Sequence, residues 1–431
     1  MIKIDENFKL IDINRNNEAK ETYRFCKGIK TEIVKLKNGQ RRNENTVLIM
    51  IRQEKNGITR ERVHPVSEYL LQTKEGGKKY SPLTQNKKAT LLVKFLNYTL
   101  IDNADRFKIK NFEDLLFEHA TEFLNNVTMD ITTATQDRYI RYLTNFYYYM
   151  ASIGVLKNIT HDDFNIVKKQ TAVGLIDVVE SPFKGVYWDK IDKPTLIHKL
   201  ETSLVLLFLD TAILYAPQIA LGVCFQMYGG LRIGEVVNLK KSSLRVRGPL
   251  GQFGFILNVN NKYMRDDLKH LTGGGSVKKQ RRQAVFPYGG NFTQTAYKEH
   301  LKYNKHNETH NALFVDRNKN PITNDSYRYH FNKVKAKFIE RLKDAKNPNL
   351  RHYAIELEST RWSSHIGRGT FSNIVASVSD NILEIAQARG DKNLSSSLTY
   401  LSDSDKMAAL LYQNDTEMWE MLEKSRKELK E

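Results

Sequence analysis

Apolar residues recur along much of this chain at helical spacing. In "NFEDLLFEHATEFLNNV", Phe112, Leu115, Leu116, Ala120, Phe123 and Leu124 share one face of a predicted helix, with Asn111 placed to cap it. "TTATQDRYIRYLTNFYYYMASIGV" repeats the pattern through Tyr139, Ile140, Leu143, Phe146, Tyr147 and Met150. With "TLLVKFLNYTL" these segments predict a helical stretch from Leu83 to about Asn158. The Tyr147–Tyr149 run could be a base-stacking platform, but an aromatic stripe at helical spacing is more often core, and core is expected here. Strand patterns are fewer. "NTVLIMIRQEKNGITRERV" reads as a hairpin around "KNG". "FGFILNVNNKY" and "VKKQRRQAVFPY" read as two strands joined by a glycine-rich, basic connection containing "LTGGGS". Helical spacing returns from about Thr323.

The pattern sets a fold class, mainly α with a small β component (α+β). It also sets boundaries. "KEGGKKYSP" reads as a linker and "VVESPFKGVYWDKIDKP" (Val178–Pro194) as a second break. The expected parts are an extension over 1–79, a helical domain over 80–178 and a mixed domain over 185–431. The apolar stretch Ser203–Gly230 is interrupted by Asp210, Pro217 and Gln218, so it predicts two buried helices parting near Pro217 and no membrane span.

Charge narrows the partner. Lys and Arg number 67 against 49 Asp and Glu, a formal charge of +18. An excess of that size favours a polyanion, and nucleic acid comes first because neutralising phosphates releases counterions. Arg138 and Arg141 on the polar side of the helical stretch, and the run Lys278, Lys279, Arg281 and Arg282, are candidate phosphate contacts. The two cysteines, Cys26 and Cys224, permit neither a disulfide framework nor a cysteine zinc site. They suit a reducing compartment, and "MIKIDENFKL" lacks the apolar core of a signal peptide, so a cytoplasmic protein is expected. No metal-ligand cluster stands out, and no cofactor is expected.

Three short motifs carry candidate chemistry. "YGGLRIGEVVNL" puts Arg232 in the first turn of a predicted helix, with Glu235 close enough to hold its guanidinium or cap the helix. "SSHIGRGTFS" puts His365 and Arg368 on one side of another helix, a pairing suited to gripping a phosphate. "RGDKNLSSSLTYLSD" ends near Tyr400. A tyrosine has a free pKa of about 10 and attacks a phosphodiester only with cationic neighbours and a proton acceptor.

In this order and spacing the motifs resemble those of the tyrosine recombinases, the phage-integrase family. The family's boxes read roughly "tGLRxxEl..L", "HxLRHtfA" and "lGHssxxtTxxY". This chain supplies "GGLRIGEVVNL", "HIGRGTFS" and, without a gap from Gly390 to Tyr400, "GDKNLSSSLTY". The resemblance spans roughly residues 80–415. It implies a SAM-like helical core-binding domain and a catalytic domain that clamp double-stranded DNA. It also implies a homotetramer assembled on that DNA, a bacterial cytoplasm, and a phage or mobile element as the source. Residues 1–79 would form an arm-type DNA-binding region or a packed extension. The apolar stripe of the last helix (Met407, Leu410, Leu411, Met418, Met421, Leu422) would dock on a neighbouring protomer or on its own.

The resemblance further implies roles. Arg232 and Arg368 would hold the scissile phosphate, His365 would donate a hydrogen bond or accept a proton, and Tyr400 would attack to form a 3′-phosphotyrosyl link. A hairpin lysine would protonate the leaving 5′ oxygen. Lys278 and Lys279 both qualify, and counting back from Pro287 favours Lys279. Two positions depart from the boxes. Gly369 replaces a histidine in a supporting place. Asp391 replaces the usual His or Trp donor, and an ionised carboxylate only accepts hydrogen bonds. That change keeps a second reading open, a sequence-specific DNA-binding regulator that retains the fold without strand exchange.

Overall fold

The structure is a computed structural model that describes residues 21–35, 41–72, 79–127, 131–171, 174–187, 196–260, 264–265, 277, 279–287, 292–304, 311–379 and 381–390. The chain divides into two compact units, Met1–Lys193 and Pro194–Glu431.

The first unit opens with a three-stranded antiparallel sheet in the order β1 (Glu21–Lys35), β2 (Arg41–Lys55), β3 (Ile58–Val63). The predicted hairpin is β2–β3, with Lys55 opposite Ile58. Its two-residue turn is Asn56-Gly57, at φ 51° and 75°. Such a turn needs positive φ at both positions, which Asn-Gly supplies at least strain. One sheet face buries Phe25, Val47, Ile49 and Ile51. It packs on α1 (Ser67–Leu71) and α2 (Pro82–Asn97). Ser81 caps α2 by accepting from Thr84 N, and Pro82 occupies the first turn, where no backbone N–H is needed. Asn97 ties α2 back to β1: its Oδ1 accepts from Phe25 N at 2.8 Å and its Nδ2 donates to Phe25 O at 2.9 Å.

The helical stretch continues through α3 (Ala104–Phe107), α4 (Phe117–Val127) and α5 (Thr133–Ser152). Asn111 does begin a capped segment, but it is a single 3₁₀ turn, Phe112–Asp114, closed by Asp114 Oδ2 accepting from Asn111 N. Leu115 is then extended, so α4 begins only at Phe117. Tyr147 is buried and its hydroxyl donates to Leu116 O at 2.8 Å, which makes it core, while Tyr148 and Tyr149 are half-buried. After α5 comes an antiparallel pair not anticipated from the pattern, β4 (Ile166–Thr171) and β5 (Gly174–Val179).

The second unit is built on α6 (Val205–Tyr215) and α7 (Pro217–Gly229), which part at Ala216. Every residue from Ile219 to Gly229 is buried. Among the described residues no helix is long and apolar enough to cross a membrane. After α8 (Ile233–Val236), β6 (Leu244–Val246), β7 (Phe255–Val259) and β8 (Arg281–Val285) form a second antiparallel sheet. The two predicted strands are β7 and β8, with Val259 opposite Arg281. Helices α9 (Phe292–Tyr303), α10 (Asn324–Lys343), α11 (Pro348–Ser359), α12 (Ile366–Val378) and α13 (Ile382–Arg389) complete the unit. Phe208, Phe225, Phe331, Phe338 and Trp362 sit at its centre. The class is α+β, as the pattern indicated.

Candidate phosphate-binding site

The site begins where α7 stops. Gly230 takes the left-handed conformation, φ 63°, and a Cβ there would collide with Phe371. The chain then turns through buried Leu231 to Arg232, which is the cap of α8 rather than a member of its first turn. Glu235 Oε2 accepts from Arg232 N at 2.9 Å, and its Oε1 lies 3.5 Å from Arg232 Nη1. Arg281, reaching over from β8, grips the same carboxylate as a fork at 2.8 and 3.0 Å. Glu235 is 1% exposed, Arg281 11% and Arg232 30%. Burial alone would push the Glu235 carboxyl up. The Arg281 fork and charge, with the N–H and charge of Arg232, outweigh it and hold the group below the usual carboxylate range.

The second box arrives on α12. His365 caps the helix and Arg368 lies in its first turn. Arg368 is wholly buried, and its Nη1 donates to Gly230 O at 2.5 Å while its Nη2 donates to Arg389 O at 3.1 Å. One guanidinium thus ties the ends of α7 and α13 to the start of α12. His365 is itself exposed to solvent. Desolvation of the rest of its ring, then the charges of Arg368, Arg232, Arg389 and His198, push its pKa down to about 4. Its neighbours in the box serve the fold. Thr370 Oγ1 accepts from Leu200 N at 2.9 Å, and Phe371 stacks on Phe286.

The third box begins at the end of α13. Gly390 caps that helix in the left-handed conformation, φ 66°, and a Cβ there would strike the Arg281 side chain. Arg281 and Gln283 alternate along β8 and so share a face, and Lys279 stands two residues ahead of the strand. All three meet the site: Lys279 Nζ donates to Gly390 O at 2.9 Å, Gln283 Nε2 to Ala388 O at 2.6 Å, and Arg281 holds Glu235.

The fold therefore brings Arg232, His365, Arg368, Lys279 and Arg281 together. Arg282 is exposed on the opposite face of β8. Arg138 and Arg141 lie on α5 in the first unit, Arg141 exposed and Arg138 half-buried with its Nη2 on Thr135 Oγ1 at 3.2 Å. Lys278, Asp391 and Tyr400 lie outside the described residues. Sequence reading missed Arg389, which is 2% exposed. A basic residue in the last turn before glycine ordinarily signals only a helix end. Among the described residues no group of three or more His, Cys, Asp or Glu could hold a metal ion. Convergent guanidiniums and an ammonium around a neutral imidazole suit a tetrahedral anion, with a proton acceptor beside it.

This architecture is the tyrosine-recombinase fold. It is similar to the XerH site-specific recombinase in a post-cleavage complex with a palindromic difH substrate, at 16% identity and TM-score 0.50, covering 78% of this chain and 80% of that one. It is equally similar to the Tn1549 transposon integrase (residues 82–397) in complex with circular intermediate DNA, at 16% identity and TM-score 0.50, covering 79% and 95%. No family model and no curated protein sequence matches the chain.

The histidines give a first testable consequence. Burial pushes His64 and His300 down to about 4 as well. Between about pH 4 and 6.5 the unfolded chain binds protons on His64, His300 and His365 that the folded chain refuses. Stability is therefore expected to rise with pH across that window. Urea midpoints measured at half-unit steps check this, and His300→Asn should flatten the slope.

Proposed function

We propose that the protein is a site-specific DNA recombinase of a phage or mobile element, cutting and rejoining double-stranded DNA through a 3′-phosphotyrosyl intermediate. The observation that carries this reading is the meeting of Arg232 from the first box with His365 and Arg368 from the second, beside Lys279 just ahead of β8. The fold and the DNA complexes of XerH and the Tn1549 integrase support it.

In this mechanism Arg232 and Arg368 bind the non-bridging oxygens of the scissile phosphate, Arg368 only once it is uncovered and released from the Gly230 and Arg389 carbonyls. The two guanidiniums stabilise the charge that builds in the pentacoordinate transition state. Tyr400 Oη attacks phosphorus, its proton passing to neutral His365. The bond to the 5′ oxygen breaks, and Lys279 gives that oxygen a proton. Attack by a 5′-hydroxyl on the phosphotyrosine reverses the steps and rejoins the strand. One ester replaces another, so no outside energy source is required. Lys279 rests on the Gly390 carbonyl and must leave it to act. Arg281 positions Glu235, and through it Arg232, rather than touching DNA first. On this reading both units contact the duplex, in the cytoplasm of a bacterial host and as a tetramer on DNA.

The test is a nicked suicide duplex carrying the ends of the encoding element. The protein should form an adduct that survives SDS, with the DNA attached to the peptide containing Tyr400. Asp391 is the one feature that favours the regulator reading, since a carboxylate repels the phosphate its usual counterpart would bind. Tight, sequence-specific binding to that DNA with no adduct would establish the regulator instead.

A further inference from the structure

The departures from the third box come as a pair. Asp391 stands where the box has a hydrogen-bond donor, and two positions earlier Arg389 stands where the box has an apolar residue. The apolar position is explained by the fold: Arg389 is 2% exposed at the end of α13. Packing at such a place requires no charge, and desolvating a guanidinium is costly. The helix end, moreover, is a junction. Arg389 O accepts from Arg368 Nη2, Ala388 O from Gln283 and Gly390 O from Lys279. A cation inside that junction lies among the groups gathered for the phosphate.

We propose that Arg389 is a third arginine of the phosphate site, a positioning residue that fixes Arg368 through its carbonyl and adds a buried positive charge beside His365. The inference rests on the recombinase reading and deepens it: the box loses a neutral donor at 391 and gains a cation at 389. The groups acting on His365 agree with this placement. Arg368 on α12, Arg232 at the cap of α8, Arg389 on α13 and His198 before α6 each carry a charge that disfavours protonation of His365. Glu235, the nearby carboxylate, is held by Arg281 and Arg232. Arg389 helps keep His365 neutral, the form able to take the proton of the attacking tyrosine.

The experiment compares wild type, Arg389→Met and Arg389→Lys in the full chain. In the free protein His365 should titrate near pH 4 by NMR, higher in the Met variant and near the wild-type value in the Lys variant. With the suicide duplex, the Met variant should form adduct ten- to a hundredfold more slowly, with its acid limb moved to higher pH. The Lys variant should recover most of the rate. The proposal is overturned by His365 titrating near 6.5 in wild type, or by a folded Met variant with the wild-type rate and acid limb. A Lys variant no better than the Met variant also overturns it, because packing rather than charge would then be at stake. If wild type itself forms no adduct, the recombinase reading fails, and the His365 titrations still decide whether Arg389 places its charge in the site.

Discussion

Tyr400→Phe should bind its cognate duplex as tightly as wild type and form no covalent adduct however long it is incubated. Arg232→Ala should form the same adduct about 10²–10³ times more slowly. The contrast follows from what each change removes. In the proposed mechanism the first deletes the atom that attacks phosphorus. The second deletes one charge from a cluster that retains Arg368, Lys279 and His365, so catalysis is slowed rather than abolished. Affinity should move only a few-fold in either case, because many phosphate contacts share it. Arg232 is 30% exposed and its loss leaves the fold intact. Arg368 is different. It holds the carbonyls of Gly230 and Arg389, so Arg368→Ala should lower both rate and stability. Gel-shift titrations beside SDS-gel time courses separate these outcomes. An Arg232→Ala protein unable to bind DNA would show that binding and chemistry are not divided between residues in this way.

Glu235→Ala should destabilise the second unit by about 3–5 kcal/mol, more than any other single change at the site. The carboxylate is 1% exposed and bonds Arg281 through both oxygens and the backbone N–H of Arg232 through one. Its removal strands Arg281, itself only 11% exposed, as an uncompensated charge. Removing Arg281 as well should restore part of the loss, because the double variant buries no lone ion. Hydrogen exchange at α8 and β8 reads the effect locally. Its pH dependence has a definite sign. The folded carboxyl is held below its ordinary value, so its contribution is present in full above the unfolded value of about 4.3. It is lost as pH falls through the folded value. The gap between wild type and Glu235→Ala should therefore close in acid. A gap under about 1 kcal/mol at neutral pH would contradict the assignment of Glu235 as the centre of the junction.

Much of the fold was legible because single residues enforce it. Asn56-Gly57 specifies its turn, Pro217 ends one apolar helix and begins the next, and Ser81-Pro82 starts α2. The misses also have local causes. Among the described side chains of β1 only Phe25 is buried, while Ile29 and Ile33 are exposed, so the alternation of the strand carries little hydrophobic contrast. The β4–β5 pair is exposed along most of its length and gives no core signal at all. That Arg232, His365 and Arg368 meet was readable from box order, but their wiring was not. Nothing in sequence says that Arg281 pairs with Glu235, 46 positions away, or that Gln283 reaches Ala388 across 105. Arg389 escaped notice because its chemistry depends on burial, which a helix-end arginine does not advertise.

The three carbonyls that close α13 have a mechanical consequence. Ala388, Arg389 and Gly390 each accept from a different side chain, two of them on the β8 edge. Gly390 is thereby the fulcrum from which the chain sets out for Tyr400, ten residues on, a reach of at most about 36 Å. Because Lys279 and Gln283 are both bonded to the end of α13, a displacement beside β8 is felt at that helix end, and a displacement of the helix end is felt at the lysine.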